Sequence, residues 1–155
     1  MESLKNDDYK DPYLDALDKF GIYVGTTEGT SMRPMIRSGI DSIVLKKKDR
    51  ELKKYDCVLY KRRSTNKYVL HRIIKIKKDG SLIICGDNLF QKEYDITQDD
   101  ILAILDGFYR KEKYIPITAF WYRVYYHLRV FFRPLRRIKY YLLKPLRFIK
   151  HKLFK

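Results

Sequence analysis

The stretch Tyr68-Val69-Leu70-His71-Arg72-Ile73-Ile74-Lys75-Ile76-Lys77-Lys78-Asp79-Gly80-Ser81-Leu82-Ile83-Ile84-Cys85 decides the fold. Two runs rich in β-branched and apolar side chains flank a polar turn that holds Asp79-Gly80. Val and Ile suit a pleated, half-buried strand, and Asp-Gly is the pair a tight type I′ turn needs, because both central residues take positive φ. The stretch therefore predicts a long β-hairpin over 68–85. Similar short runs at 22–24, 42–45, 57–60 and 101–105 bring the total to six or more strands, so the fold class is mainly β. Asp11-Pro12 opens a short helix with Tyr13, Leu14, Leu17 and Phe20 at roughly helical spacing and Gly21 as its stop, expected to pack as a lid on the sheet.

From Ala119 onward the texture changes. Trp121, Val124, Tyr125, Leu128, Phe131, Phe132, Leu135, Ile138, Leu142, Leu146, Ile149 and Leu153 recur mostly at steps of three or four, an amphipathic helical pattern. Pro134 and Pro145 each disfavour helical geometry at the residue before them, which predicts two or three helical segments joined by kinks. The chain thus divides into an N-terminal helical segment (1–21), a β-rich domain (22–118) and a basic aromatic tail (119–155).

The chain has 155 residues, with 34 Lys+Arg against 19 Asp+Glu and a net charge of +15. That length holds one modest core and excludes a large multidomain enzyme. Residues 119–155 carry 11 of the basic residues and no acidic one, so the excess charge belongs mainly to the tail. Cys57 and Cys85 lie inside apolar runs and belong to no Cys-x-x-Cys or Cys/His cluster. No metal site, disulfide framework or cofactor is expected from them. The first residues are polar and acidic, and no stretch of about 18 uncharged apolar residues occurs, so neither a cleavable signal nor a membrane-spanning helix is expected. The expected location is the cytoplasm.

Three short segments carry potential chemistry. In Gly29-Thr30-Ser31-Met32-Arg33-Pro34-Met35 a glycine permits a sharp bend and a proline fixes the exit, so Ser31 can be held exposed and rigid. A serine hydroxyl is a poor nucleophile at neutral pH and needs a base within hydrogen-bond reach and a donor for the developing oxyanion. Leu70-His71-Arg72-Ile73-Ile74 supplies the first histidine of the chain, with a pKa suited to general-base work. Cys85-Gly86-Asp87-Asn88 ends the return strand of the hairpin and brings an acidic side chain to the rim near His71; Asp95 and Asp99 are alternatives if the following loop folds back.

In this order the three segments resemble the signature boxes of type I signal peptidases, over roughly 25–108. The clan also includes the LexA-like self-cleaving repressors, and the resemblance implies their coiled β-sheet catalytic domain. Most bacterial members use a lysine base; His71 in that place resembles the endoplasmic-reticulum and archaeal type. The resemblance implies Ser31 as nucleophile, His71 as base and Asp87 as the acidic third member. Gly29, Thr30, Met32, Pro34, Gly86 and Asn88 would shape the site and its oxyanion hole. It also implies a peptide or preprotein substrate, bound as an extended strand and cut after small residues. The chain departs from the pattern in lacking the N-terminal anchor, in having Gly29 where many members place a serine, and in a one-residue-longer Gly39-Ile40-Asp41.

The tail interleaves its 11 basic residues with 11 aromatics. An interfacial helix buries its apolar stripe at the headgroup boundary while Arg and Lys meet anionic lipid, and Tyr and Trp suit that boundary. Trp121, Tyr122, Arg123, Phe131, Phe132, Arg133, Arg136 and Arg137 are the expected membrane-surface contacts, on the inner face of the cell membrane. Nucleic acid is the lesser candidate partner, because the same composition can grip phosphates and stack bases. The rival to the peptidase is a catalytically degenerate relative acting as a membrane or nucleic-acid adaptor. Oligomeric state is not legible.

Overall fold

The computed structural model describes residues 12–153, with side chains described over 13–143. The expectations for residues 1–11 and for the side chains of 144–155 lie outside that range. Helix α1 (Pro12–Phe20) is followed by strands β1 (Ile22–Thr26), β2 (Ser42–Lys47), β3 (Cys57–Arg62), β4 (Lys67–Ile76), β5 (Leu82–Cys85), β6 (Glu93–Ile96), β7 (Ile101–Arg110) and β8 (Lys113–Pro116). Helices α2 (Phe120–Phe131) and α3 (Arg133–Leu153) close the chain. All strand pairs are antiparallel, in the order β1-β2-β7-β3-β4-β5-β6, and β8 takes up the part of β7 that β3 leaves free. The chain is mainly β, as the short β-branched and apolar runs predict.

Alternation of side chains explains how one sheet buries both faces. In β3, Cys57 and Leu59 join one core with Leu17, Met32, Ile36, Leu45, Leu105 and Phe108, whereas Val58 and Tyr60 join a second with Ile73, Leu82, Ile84 and Ile104. A period of two puts successive residues on opposite faces, and β-branched side chains fill both. Helix α1 is anchored through Leu17, which is 2% exposed, and packs on β1 and β2. Its Tyr13 ring sits 4.7 Å from Tyr23 and 4.9 Å from Tyr68.

The β4–β5 hairpin forms with a different turn from the one expected. Gly80 has φ of 80°, but Asp79 does not have positive φ. Gly80 N donates to Lys77 O and Lys77 N to Ser81 O, which is a type I turn closed by a left-handed glycine, the three-residue hairpin loop. Asp79 reinforces it by accepting from Ser81 N and Oγ. Two strands escaped prediction. Glu93-Tyr94-Asp95-Ile96 and Lys113-Tyr114-Ile115-Pro116 are four residues each and largely polar, and tertiary pairing rather than local pattern makes them strands. The tail kinks at Phe132 as the prolines predict, but Arg133, the residue before Pro134, is itself helical, and α3 runs on through Pro145. A proline removes one helical hydrogen bond, and the turns on either side can carry that loss.

Among the described residues, no helix is long and apolar enough to cross a membrane.

Candidate active site

Ser31 lies in the long connection between β1 and β2. That segment is pinned by buried Met32 and Ile36 and by Ser38 Oγ and Gly39 N, both donating to Thr27 O. Its far end is fixed by Asp41, fully buried, which accepts from Arg37 and Arg110. Burial raises the Asp41 pKa, yet the hydrogen bonds from the two arginines outweigh it and hold the carboxyl down at about 2. Gly29 has φ of 80°, the left-handed bend its residue type permits, and stands exposed with Thr30 and Pro34. The Arg33-Pro34 peptide is cis.

His71 is carried on β4 and is 2% exposed. It meets Ser31 across Gly86. A Cβ placed on Gly86 would fall 3.0 Å from His71 Nε2, 3.0 Å from Ser31 Cβ and 2.9 Å from Ser31 O. Glycine is therefore the residue that lets the two side chains approach the same point. Asn88 N donates to Ser31 O at 2.7 Å, tying the 86–88 loop to the serine turn. The structure thus brings Ser31, His71, Gly86 and Asn88 together, as the three boxes lead one to expect.

Asp87 is not the partner of His71. Its two carboxylate oxygens accept from Arg72 Nε and Nη2, both at 2.8 Å, and the pair is completely buried. Arg72 also donates to Tyr55 O and to the Tyr122 hydroxyl. A guanidinium and a carboxylate facing each other in a fork satisfy both charges, so Asp87 is already committed to joining β4 to the loop and to α2. Asp95 and Asp99, the alternatives, lie exposed, and the carboxylate that bonds the imidazole is Glu93.

The acidic partner is Glu93, at the start of β6. Its Oε1 lies 3.0 Å from His71 Nδ1, and the same carboxylate accepts from Arg62 Nη2 at 2.6 Å and Nε at 2.7 Å. A carboxylate facing Nδ1 fixes the proton there and leaves Nε2 as the lone-pair nitrogen toward Ser31. Both hydrogen bonds of the ring, to Glu93 and to the Tyr60 hydroxyl, are at Nδ1. Burial lowers the His71 pKa, partly countered by the Glu93 charge, so the ring is a neutral base at neutral pH. Burial pushes Glu93 up, but hydrogen bonds from Arg62 and Tyr60 win and keep it ionised. Glu93, Arg62 and Tyr60 escaped the sequence reading. The one available signal is position: Glu93 follows the Gly86-Asp87-Asn88 turn closely enough to fold back toward His71.

The pair opens into a cleft of about 730 Å³ lined by Thr26, Ser31, Met32, Leu59, Tyr68 and His71 among others. One wall is the start of the connection after β1, from Thr26 through Ser31 and Met32. The other is the first half of β4, residues 67–71, where β5 has not yet begun to pair. Among the described residues, the β4 edge over 67–71 has no strand partner on the β5 side and so faces this space beside the serine.

The expected membrane-contact set divides. Trp121 (79% exposed), Arg123, Phe131, Phe132 and Arg137 lie on the surface. Tyr122 does not: it is 3% exposed, packs in the first core and bonds Arg72. Arg133 is buried and donates to Gly86 O, and half-buried Arg136 donates to Asp87 O. These three turn inward because the 86–88 loop offers them carbonyl oxygens and Arg72 offers Tyr122 a polar end to its pocket.

Comparison of the chain with protein-family models, with curated proteins and with solved structures finds no match in any of the three. Among the described residues no group of His, Cys, Asp and Glu could hold a metal ion.

Proposed function

We propose that the chain is a serine endopeptidase of the signal-peptidase-like type, with Ser31 as nucleophile, His71 as base and Glu93 as the carboxylate that orients it. The observation that carries this reading is the convergence on Gly86 of Ser31 Cβ and His71 Nε2, with Nδ1 of the same ring held by an ionised Glu93. His71 Nε2 takes the Ser31 hydroxyl proton as Oγ attacks a peptide carbonyl, and Glu93 stabilises the imidazolium. The imidazolium then protonates the leaving amine as the C–N bond breaks. Water, deprotonated by the same ring, hydrolyses the acyl-enzyme. Backbone N–H groups of Thr30 and Ser31 serve the oxyanion.

The substrate is an extended peptide laid in the cleft, pairing with the edge of β4 over 67–71, and cut after small residues as the family resemblance implies. A leader or signal segment of a peptide or preprotein fits this description. The domain belongs with the coiled-sheet peptidases of that clan, and it sits peripherally on the inner face of the membrane through exposed Trp121, Phe131 and Phe132 and the basic residues around them. The rival, a catalytically degenerate adaptor for a lipid or nucleic-acid surface, draws on Gly29, which offers no side-chain donor to an oxyanion.

The test is incubation of wild type, Ser31→Ala and His71→Ala with a library of peptides bearing small residues, products being read by mass spectrometry. Cleavage abolished by both substitutions is the expected result. Cleavage that survives Ser31→Ala would refute the mechanism, and a library left intact by the wild type would favour the adaptor.

A further inference from the structure

Around the 86–88 loop, three arginines have gathered with no carboxylate among the described residues bonded to any of them. Arg129 Nε donates to Asp87 O at 3.0 Å and its Nη2 to Asn88 Oδ1 at 3.2 Å. Arg133, 7% exposed, reaches Gly86 O at 3.4 Å, while its Nε and Nη1 have no hydrogen-bond partner among the described residues. Arg136 donates to Asp87 O and Arg129 O, and its Nε is likewise unpartnered. Carbonyl and amide oxygens satisfy hydrogen bonds but cancel no charge. The one carboxylate nearby, Asp87, is taken on both oxygens by Arg72. Burial first, and then the charges of Arg129 and Arg133, lower the pKa of Arg136.

Buried charges are ordinarily paired, and a guanidinium fork matches the paired oxygens of a phosphate or a carboxylate, with three arginines suiting the greater charge and oxygen count of a phosphate. The three arginines sit where α2 turns into α3, and Phe131 (74% exposed), Phe132, Leu135 and Ile138 stand exposed at the same elbow. No acidic residue occurs in 119–155 to compete for the site. An anion that arrives together with an apolar surface is a lipid headgroup.

We infer that the Arg129–Arg133–Arg136 elbow is a binding site for the phosphate of an acidic phospholipid. This rests on the membrane attachment in the proposed function, not on the peptidase chemistry. The occupied site would lie directly on the loop whose Asn88 N–H holds Ser31 O, so lipid and serine share one support.

The test is co-sedimentation of the full chain with vesicles of phosphatidylglycerol in phosphatidylcholine, and of phosphatidylcholine alone, at fixed ionic strength. A diffuse surface charge is worth about fivefold in affinity per basic residue near the membrane, the effect expected of the exposed control Arg123→Met. Arg133→Met is expected to lose several times more than that control, with Arg133→Lys intermediate because the fork is lost and the charge kept. If Arg133→Met melts early or fails to fold, Arg136→Gln, half-buried, is expected to show the same excess loss. Equal losses for Arg133→Met (or Arg136→Gln) and Arg123→Met would overturn the site while leaving membrane attachment intact. Wild type that ignores anionic vesicles would overturn both. Inorganic phosphate that raises the melting temperature of wild type but not of Arg133→Met, with vesicle binding unaltered by the substitution, would replace the lipid with a soluble phosphate.

Discussion

Glu93→Gln and Asp87→Asn separate two carboxylates that sit close to one histidine and do different work. Glu93 fixes the imidazole proton on Nδ1, so its amide should lower kcat/KM by about 10²–10⁴-fold with a small change in stability, read from cleavage rates and thermal melts. Asp87→Asn leaves Arg72 buried without its counter-charge and should cost about 3–5 kcal/mol of stability, read by denaturant titration. The pH profile follows from His71. Burial lowers its pKa, so the base is competent when neutral and the acid limb of kcat/KM should fall below the usual histidine value of about 6.5. The Glu93 charge raises that pKa, so in Glu93→Gln the limb should move further toward acid. Ser31, His71 and Gly86 were legible because a serine bend, a strand histidine and a hairpin-end glycine each leave a local mark in sequence order. Glu93 left only its position after the turn, because its role arises only once β6 pairs with β5 and returns the carboxylate to His71.

At the scale of elements, the 27–41 connection is the one whose rigidity matters most, since it presents Ser31. Asp41 ties its end to Arg37 and to Arg110 of β7. With the folded carboxyl at about 2 and an unfolded value of about 3.9, this contribution is complete above pH 4 and is lost as pH falls through 2. Acid titration of wild type and Asp41→Asn should therefore show two stabilities that differ above pH 4 and converge toward pH 2. Six strands and three helices were readable from period and punctuation. β6 and β8 were not, being four residues long and too short for a pattern to stand out. The turn at Lys78-Asp79-Gly80 shows the limit of a residue-pair rule: Asp-Gly serves the type I turn with a left-handed glycine as readily as type I′.

Across the whole molecule, the charge asymmetry that stands out in the sequence acquires two faces. Tyr122 turns into the core against Arg72, and Arg129, Arg133 and Arg136 turn toward the domain and grip the loop that supports Ser31, whereas Phe120, Trp121, Phe131 and Leu135 face outward. Helical periodicity revealed the amphipathic pattern but not which arginines would be consumed internally, because that depends on carbonyl oxygens brought from 86–88. Binding to anionic vesicles should weaken steeply as salt rises through the physiological range, since exposed charges are screened within about 8 Å there, and sedimentation against salt measures it. Salt-independent association would point to the apolar stripe alone. The most direct test of the peptidase is to acid-quench the wild type during exposure to the peptide library and measure intact protein mass. The structure-based mechanism predicts a covalent acyl adduct on the peptide containing Ser31, absent from Ser31→Ala and from His71→Ala. Product formation with no adduct at Ser31, or with the adduct on another residue, would contradict it.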